Sequence, residues 1–291
     1  MDPTAHQTID LNAGADLTGF RRVVRMLTLC SIPPRQVTFR INDGSALFGS
    51  QDSAAYGAAG KPIILPRAVT EMIKLIVCHS DPEKYAWLYE LAWRVTNDKK
   101  EKHLLEAKGD DLVHRLDDMA QSVRRDIHRM QTSLRFRQMD DQGGEEHFAA
   151  WFEPEHYIVE AAAQVFVDRF TSMVWTILTP KGSLHWDKKE LWFGPPTVRR
   201  YAPGADVFES GWRTYSESTF NPARTNLQVR RQLLPETYWK NMPETQAIPH
   251  LVSIAAARLE EMIVWQTAMP AERSPHKAAP VEGQVVSEEA T

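Results

Sequence analysis

Apolar residues in the first half of the chain recur every three or four positions. In GFRRVVRMLTLC, residues 19–30, Phe20, Val23, Val24, Leu27 and Cys30 share one side, which predicts an amphipathic helix. Pro33 and Pro34 end it. QVTFRI, 36–41, alternates polar and apolar residues at the strand period, and residues 42–61, rich in Gly, Ala and Ser, read as a long loop. A helix is expected from Pro66 through Cys78. Ser80-Asp81-Pro82-Glu83 then carries the signals of a helix start, proline in the first turn and acids at the positive end. The helix that follows, EKYAWLYELAWRV, bears Trp87, Leu88, Leu91 and Trp93. The strongest helical period lies over 110–130, where Leu112, Leu116, Met119, Ala120, Val123, Ile127 and Met130 recur. Aspartates at its start and arginines towards its end suit the helix dipole.

From about residue 134 the pattern changes. LRFRQM, EHFAAWF, MVWTILTP, SLHWD and ELWFG are short stretches of aromatic and branched residues, expected as strands. Gly143-Gly144, Pro180-Lys181-Gly182 and Asp187-Lys188-Lys189 supply turns. Between the second and third strands PEHYIVEAAAQVFVDRF reads as a helix opened by Glu153-Pro154-Glu155. The order strand, strand, helix, strand, strand, strand predicts an α+β fold. Its mainly antiparallel sheet covers about 134–194, flanked by helical parts at 16–133 and 206–266 in a single domain, 16–266. Residues 1–15 are expected to be disordered, as is the Pro-, Ala- and Glu-rich tail 267–291.

Composition narrows the function classes little. With 43% hydrophobic residues in 291, the chain can bury a sizeable core. The formal charge of −4 is concentrated in acidic ends, so residues 21–266 are near neutral and no bulk basic field points to a polyanion. Two cysteines, Cys30 and Cys78, both in apolar helical patterns, are expected as buried free thiols; they are too few for an iron–sulfur cluster or a four-cysteine zinc site. No cofactor is expected. No secretory signal pattern and no apolar run approaching ~18 residues is present, which predicts a cytoplasmic protein without membrane contact.

Candidate chemistry falls in three places. EEHFAAWFEPEH offers Glu145, Glu146, His147, Glu153, Glu155 and His156, with His185 and Asp187 on a later strand. Two histidines and a carboxylate can hold a divalent ion, but glutamates at a turn and helix start explain the stretch equally, and no metal is expected. VRRDIHRM followed by LRFR sets five arginines against one acid between Gln121 and Arg137, and Arg124 and His128 share a helix face. Such a stripe suits phosphate contacts or a solvated face. Residues 220–241 interleave Arg224, Arg230, Arg231 and Lys240 with Phe220, Tyr238 and Trp239, the ingredients of single-strand or flipped-base binding. In FNPAR, 220–224, Asn221-Pro222 is also an ordinary helix entrance.

A resemblance adds to this. GFRRVVRMLTLCSIPPRQVTF, HSDPEKYAWLYELAWRV, MAQSVRRDIHRMQTSLRFR, HFAAWFEPEHYIVEAAAQVF, WTILTPKGSLHWD and WRTYSESTFNPARTNLQVRRQLLPETYWKNMPE resemble a family of bacterial proteins of unknown mechanism assigned to DNA metabolism or DNA repair. The resemblance covers about residues 16–262. It implies a radical-SAM DNA-modification or repair protein as companion, and in some members the domain is fused ahead of a uracil-DNA glycosylase-superfamily domain. This chain carries no G-E-x-P-G or H-P-S segment of that second domain, so base excision is not expected of it; a glycosylase-superfamily protein enters as a separate partner. The resemblance assigns no catalytic residue.

The leading expectation is therefore a DNA-repair accessory protein acting with a radical-SAM partner. DNA contacts would come from Arg124, Arg125, Arg135, Arg137, Asn221, Arg224, Arg230 and Trp239. Two alternatives stand beside it. One is an enzyme acting on a modified base or nucleotide, with acid–base candidates His128, Glu155, His156 and Asp187; these must then converge in one pocket. The other is an adaptor that binds no DNA and uses its aromatic residues for core and partner surface.

Overall fold

The computed structural model describes residues 6–42, 63–139, 146–199, 236–239 and 241–242. The predicted loop over 42–61 apart from Asn42, the helical part 206–266 apart from 236–239 and 241–242, the tail 267–291, and Glu145, Asn221, Arg224, Arg230, Arg231 and Lys240 lie outside them.

The first strand begins where a disordered N-terminus was expected. Gln7–Asn12 forms β1, in which Ile9 and Leu11 are buried. It pairs in parallel with β2, Val37–Asn42, Ile9 opposite Phe39. A parallel pair needs a crossover, and α1, Leu17–Leu29, provides it. The alternation in QTIDLN is short and diluted by Asp10, which the ladder sets against Arg40 in a salt bridge at 3.0 Å. Asp16 caps α1 by accepting from the Gly19 N–H at 2.7 Å. Cys30 follows the last turn of α1 and is exposed, whereas Cys78 is buried; the expectation of two buried thiols holds for Cys78 alone.

Helices α2, Arg67–Ile76, and α3, Lys84–Asn97, bury their apolar faces against this unit. Helix α4, Asp111–Ser133, has 23 residues and is about 34 Å long. Its first half, with Leu112, Leu116 and Ala120, closes the first core; Val123 and Met130 in its second half belong to another. Asp110 starts it, accepting from the N–H groups of Leu112 at 3.0 Å and Val113 at 3.3 Å. Arg94 on α3 clamps the same carboxylate at 2.7 Å and Glu101 at 2.7 Å, which holds the Asp110 carboxyl below the usual range. Asp110→Ala should cost about 1–2 kcal/mol of stability, the loss of a good N-cap, measurable as a lower urea midpoint with unchanged slope.

The second core is built on a five-stranded sheet in the order β3-β4-β5-β6-β7. These are Arg137–Met139, His147–Trp151, Val174–Thr179, Gly182–Trp186 and Leu191–Gly194. β4 and β5 run parallel, joined through α5, Val159–Arg169; the other pairs are antiparallel. The fold is α+β with a mainly antiparallel sheet, in the strand and helix order the sequence predicts. Register places Phe148, Ala150, Trp175, Ile177, Leu184 and Trp186 on one face, where α5 and the second half of α4 cover them. A short helix α6, Glu236–Trp239, adds Tyr238, stacked on Phe152 with centroids 5.0 Å apart. Among the described residues no helix is long and apolar enough to cross a membrane.

The start of α5 differs from expectation. Glu153-Pro154-Glu155 does not open the helix, which begins at Val159. Backbone groups in the preceding turn are bonded elsewhere: the His156 N–H donates to Asp126 at 2.9 Å and the Tyr157 N–H to the Cys78 carbonyl at 2.7 Å. This turn is therefore tied down onto α4 and the end of α2, at the junction of the two cores.

Candidate functional site

That junction holds a cluster of buried polar and charged side chains, His156, Asp126 and Lys84 among them. His156 is 4% exposed. Its Nδ1 accepts from the Ser80 N–H at 3.2 Å and lies 3.1 Å from the Ser80 hydroxyl; its Nε2 lies 2.8 Å from Ser122 Oγ. A backbone N–H can only donate, so Nε2 carries the proton and donates to Ser122. Burial, with His79, Lys181, Lys84 and Arg129 nearby, pushes the imidazole down to about 4. The ring is neutral at pH 7 and stacks on His79 at 4.3 Å.

Two further charged groups are buried beside it. Asp126 is fully buried, accepts from the His156 N–H, and has the Tyr238 hydroxyl at 3.4 Å; burial raises its carboxyl above the usual range. Lys84 donates to the carbonyls of Gly14, Val77 and His79 at 2.8, 2.7 and 2.9 Å. Gly14 adopts φ 92°, a conformation that suits glycine and aims its carbonyl at this ammonium. Lys181 donates to the Glu155 carbonyl and lies over the Tyr157 ring at 4.6 Å. Every ring nitrogen of His156 and every Nζ proton of Lys84 is engaged in holding elements together. The cluster locks β1–α1, α2–α3, α4 and β4–α5 to one another, and its bonding fits a structural role better than proton transfer.

The four acid–base candidates do not converge. His156 is buried in the junction, while His128 is exposed on α4. Glu155 is exposed and pairs with Arg129 at 3.0 Å. Asp187 is exposed and accepts from the Lys189 and Glu190 N–H groups at 2.9 and 2.7 Å, which holds its carboxyl low and shapes the β6–β7 turn.

The metal candidates separate likewise. Glu153 binds the Trp151 indole and Arg199 at 2.8 and 2.9 Å. His147 and His185 meet on the sheet face opposite the core, but through Thr176, whose Oγ1 lies 2.9 Å from one and 2.7 Å from the other. Among the described residues no group of three His, Cys, Asp or Glu side chains could hold a metal ion.

The arginine stripe is resolved differently. Arg124 and Arg125 lie exposed on α4, and Arg124 borders a cavity of about 580 Å³ with Lys74, Glu71 and Tyr157. Arg137 sits half-buried at the start of β3. Arg135 donates to the Thr132 and Leu134 carbonyls at 2.9 and 3.1 Å, at the end of α4. There it borders a cleft of about 540 Å³ lined by Phe136, Phe148, Phe170, Met173 and Arg169. Trp239 is half-buried and its neighbour Tyr238 is core, so of the segment 220–241 the described residues place one aromatic inside the protein.

Sequence reasoning did not single out Arg169, Phe170 and Met173. Their signal was a cation in the last turn of α5 followed by two bulky apolar residues, a pattern most helix ends share. Only the sheet brings that end beside Arg135. Asp126, the one acid within the arginine stripe, is turned inward by α4.

Residues 82–244, more than half of the chain, match the DUF4130 family, a domain of unknown function, and the chain belongs to that family. Comparison with curated proteins and with solved structures found no match.

Proposed function

We propose that this DUF4130 protein is a DNA-binding accessory protein of DNA repair or DNA metabolism, acting beside a radical-SAM partner that supplies the chemistry. The observation that supports this best is a pair of exposed cations on α4 with a third just past its end. Arg124 and Arg125 stand exposed on the helix, and Arg135 follows at its end beside an aromatic cleft carrying a second guanidinium. Exposed guanidiniums at successive positions of a rigid helix suit a phosphate backbone. The separation of His128, Glu155, His156 and Asp187 favours binding over a single catalytic pocket built from them. A uracil-DNA glycosylase-superfamily protein is a further partner on this reading.

The test is binding of labelled oligonucleotides by anisotropy at about 50 and 200 mM salt, where phosphate contacts separate from other affinity. Arg124→Ala/Arg125→Ala should weaken duplex binding about tenfold at the lower salt and flatten the salt slope by about 2. Affinity and slope equal to wild type would remove these residues from the interface. Co-purification of the radical-SAM companion tests the partner, and its absence from the complex at low salt would leave the chain without that role.

A further inference from the structure

The cleft at the end of α4 contains more than an anion site requires. Phosphate alone calls for cations, yet this cleft is lined by Phe136, Phe148 and Phe170 with Met173, between Arg135 and Arg169. Resting on the DNA-binding reading above, we propose that it seats one unpaired nucleobase of a single-stranded or locally opened DNA, with Arg135 and Arg169 on the flanking phosphates.

Size, surface and charge agree on this occupant. The volume of about 540 Å³ lies in the ~300–1,000 Å³ range of small-ligand sites, ample for one nucleotide. Aromatic rings take any base by its π-face, and every nucleotide adds an anion beside it. The described lining residues include two guanidiniums and no carboxylate. Gln131 and Gln138 add amide groups that can both donate to and accept from a base edge.

Arg135 is held in place before any ligand arrives, and Arg169 stands exposed beside the rings. Arg135 is fixed by two backbone carbonyls, and Arg169 lies 5.4 Å from the Phe170 ring centroid. Pre-placed groups lose less freedom on binding. Phe136 meets Phe170 edge-on at 5.0 Å and Trp175 at 5.9 Å, so the lining is braced by the second core. A fully paired duplex keeps its bases stacked and cannot bring one between the rings, so it leaves the cleft unused and binds through the exposed face of α4. The unpaired nucleotide is the ligand that uses both the rings and the arginines of the cleft.

The experiment compares a single strand, a matched duplex and a duplex with one bulged base, each carrying 5-iododeoxyuridine at the test position. Anisotropy and photo-cross-linking are read with the full chain. The single strand and the bulge should bind about tenfold tighter than the matched duplex, and cross-links should map to Phe136, Phe148, Phe170 or Met173. Arg169→Ala, with an unchanged melting temperature, should lose about tenfold on the single strand and flatten its salt slope by ~0.7, one phosphate contact, while matched-duplex binding stays. Arg169→Lys should recover part of the loss. Equal affinity for all three DNAs, cross-links outside the cleft, or an Arg169→Ala variant that binds as wild type would overturn the cleft assignment while duplex binding through α4 stands. No binding to any of the three would overturn both.

Discussion

Replacing Lys84 with Met should lower the unfolding free energy by about 3–5 kcal/mol, enough to remove much of the stability of an ordinary domain. Lys84 is fully buried at the first turn of α3. Its three ammonium protons match three converging carbonyls, those of Gly14, Val77 and His79. Val77 and His79 follow the end of α2, where carbonyls lack helical partners and the dipole favours a cation. Burial pushes the amine down to about 8, so it still carries its charge at pH 7. Methionine keeps the length and apolar bulk but strands three acceptors, each costing about 1 kcal/mol or more. Lys84→Arg should recover little, because a planar fork cannot address carbonyls arranged around a point. Guanidinium denaturation at pH 7 decides it. A Met variant within ~1 kcal/mol of wild type would mean that other donors reach these carbonyls.

Lys84 also marks the limit of what the chain discloses on its own. The period of α4 and the alternation of the sheet strands were legible because each is a local consequence of burying one face. The helix order and the strand order followed from them. What escaped depends on partners distant in sequence. In SDPEKYAW Lys84 reads as an exposed lysine of a first helical turn, and Gly14, 70 residues earlier, makes it a buried brace. His156 lies 76 residues from Ser80 and 34 from Ser122. The bonds of the His156 and Tyr157 N–H groups to Asp126 and to the Cys78 carbonyl turned an expected helix start into a turn. β1 escaped because six residues with Gln, Thr, Asp and Asn among them carry little apolar signal until β2 is set beside them. The arginine stripe was visible, but not its division into an exposed helix face and a guanidinium at an aromatic cleft. That division depends on where α4 ends and on α5 arriving there.

Acidification should unlock the junction through His156. Its folded value is about 4 against an ordinary value of 6.5, so between these limits the unfolded chain binds the extra proton. Stability is then fully present above pH ~6.5 and falls as pH drops towards 4, by about 3 kcal/mol from this group. The cause is geometric as well as electrostatic. A protonated ring would turn Nδ1 into a donor facing the Ser80 N–H at 3.2 Å, beside Lys84, Lys181 and Arg129. His79, stacked on it and also held low by burial, titrates in the same sense. Asp126 opposes them. Burial raises its carboxyl, so its contribution is present below the ordinary carboxylate value and fades as pH rises. The neutral replacement His156→Gln isolates the imidazole, because Asp126 keeps its backbone donor at position 156. Urea denaturation at pH 7.5 and about 4 should show wild type losing roughly 3 kcal/mol more than His156→Gln between the two. Parallel losses in both proteins would mean that the imidazole takes up its proton equally in the folded and unfolded chain and that another group sets the acid limit.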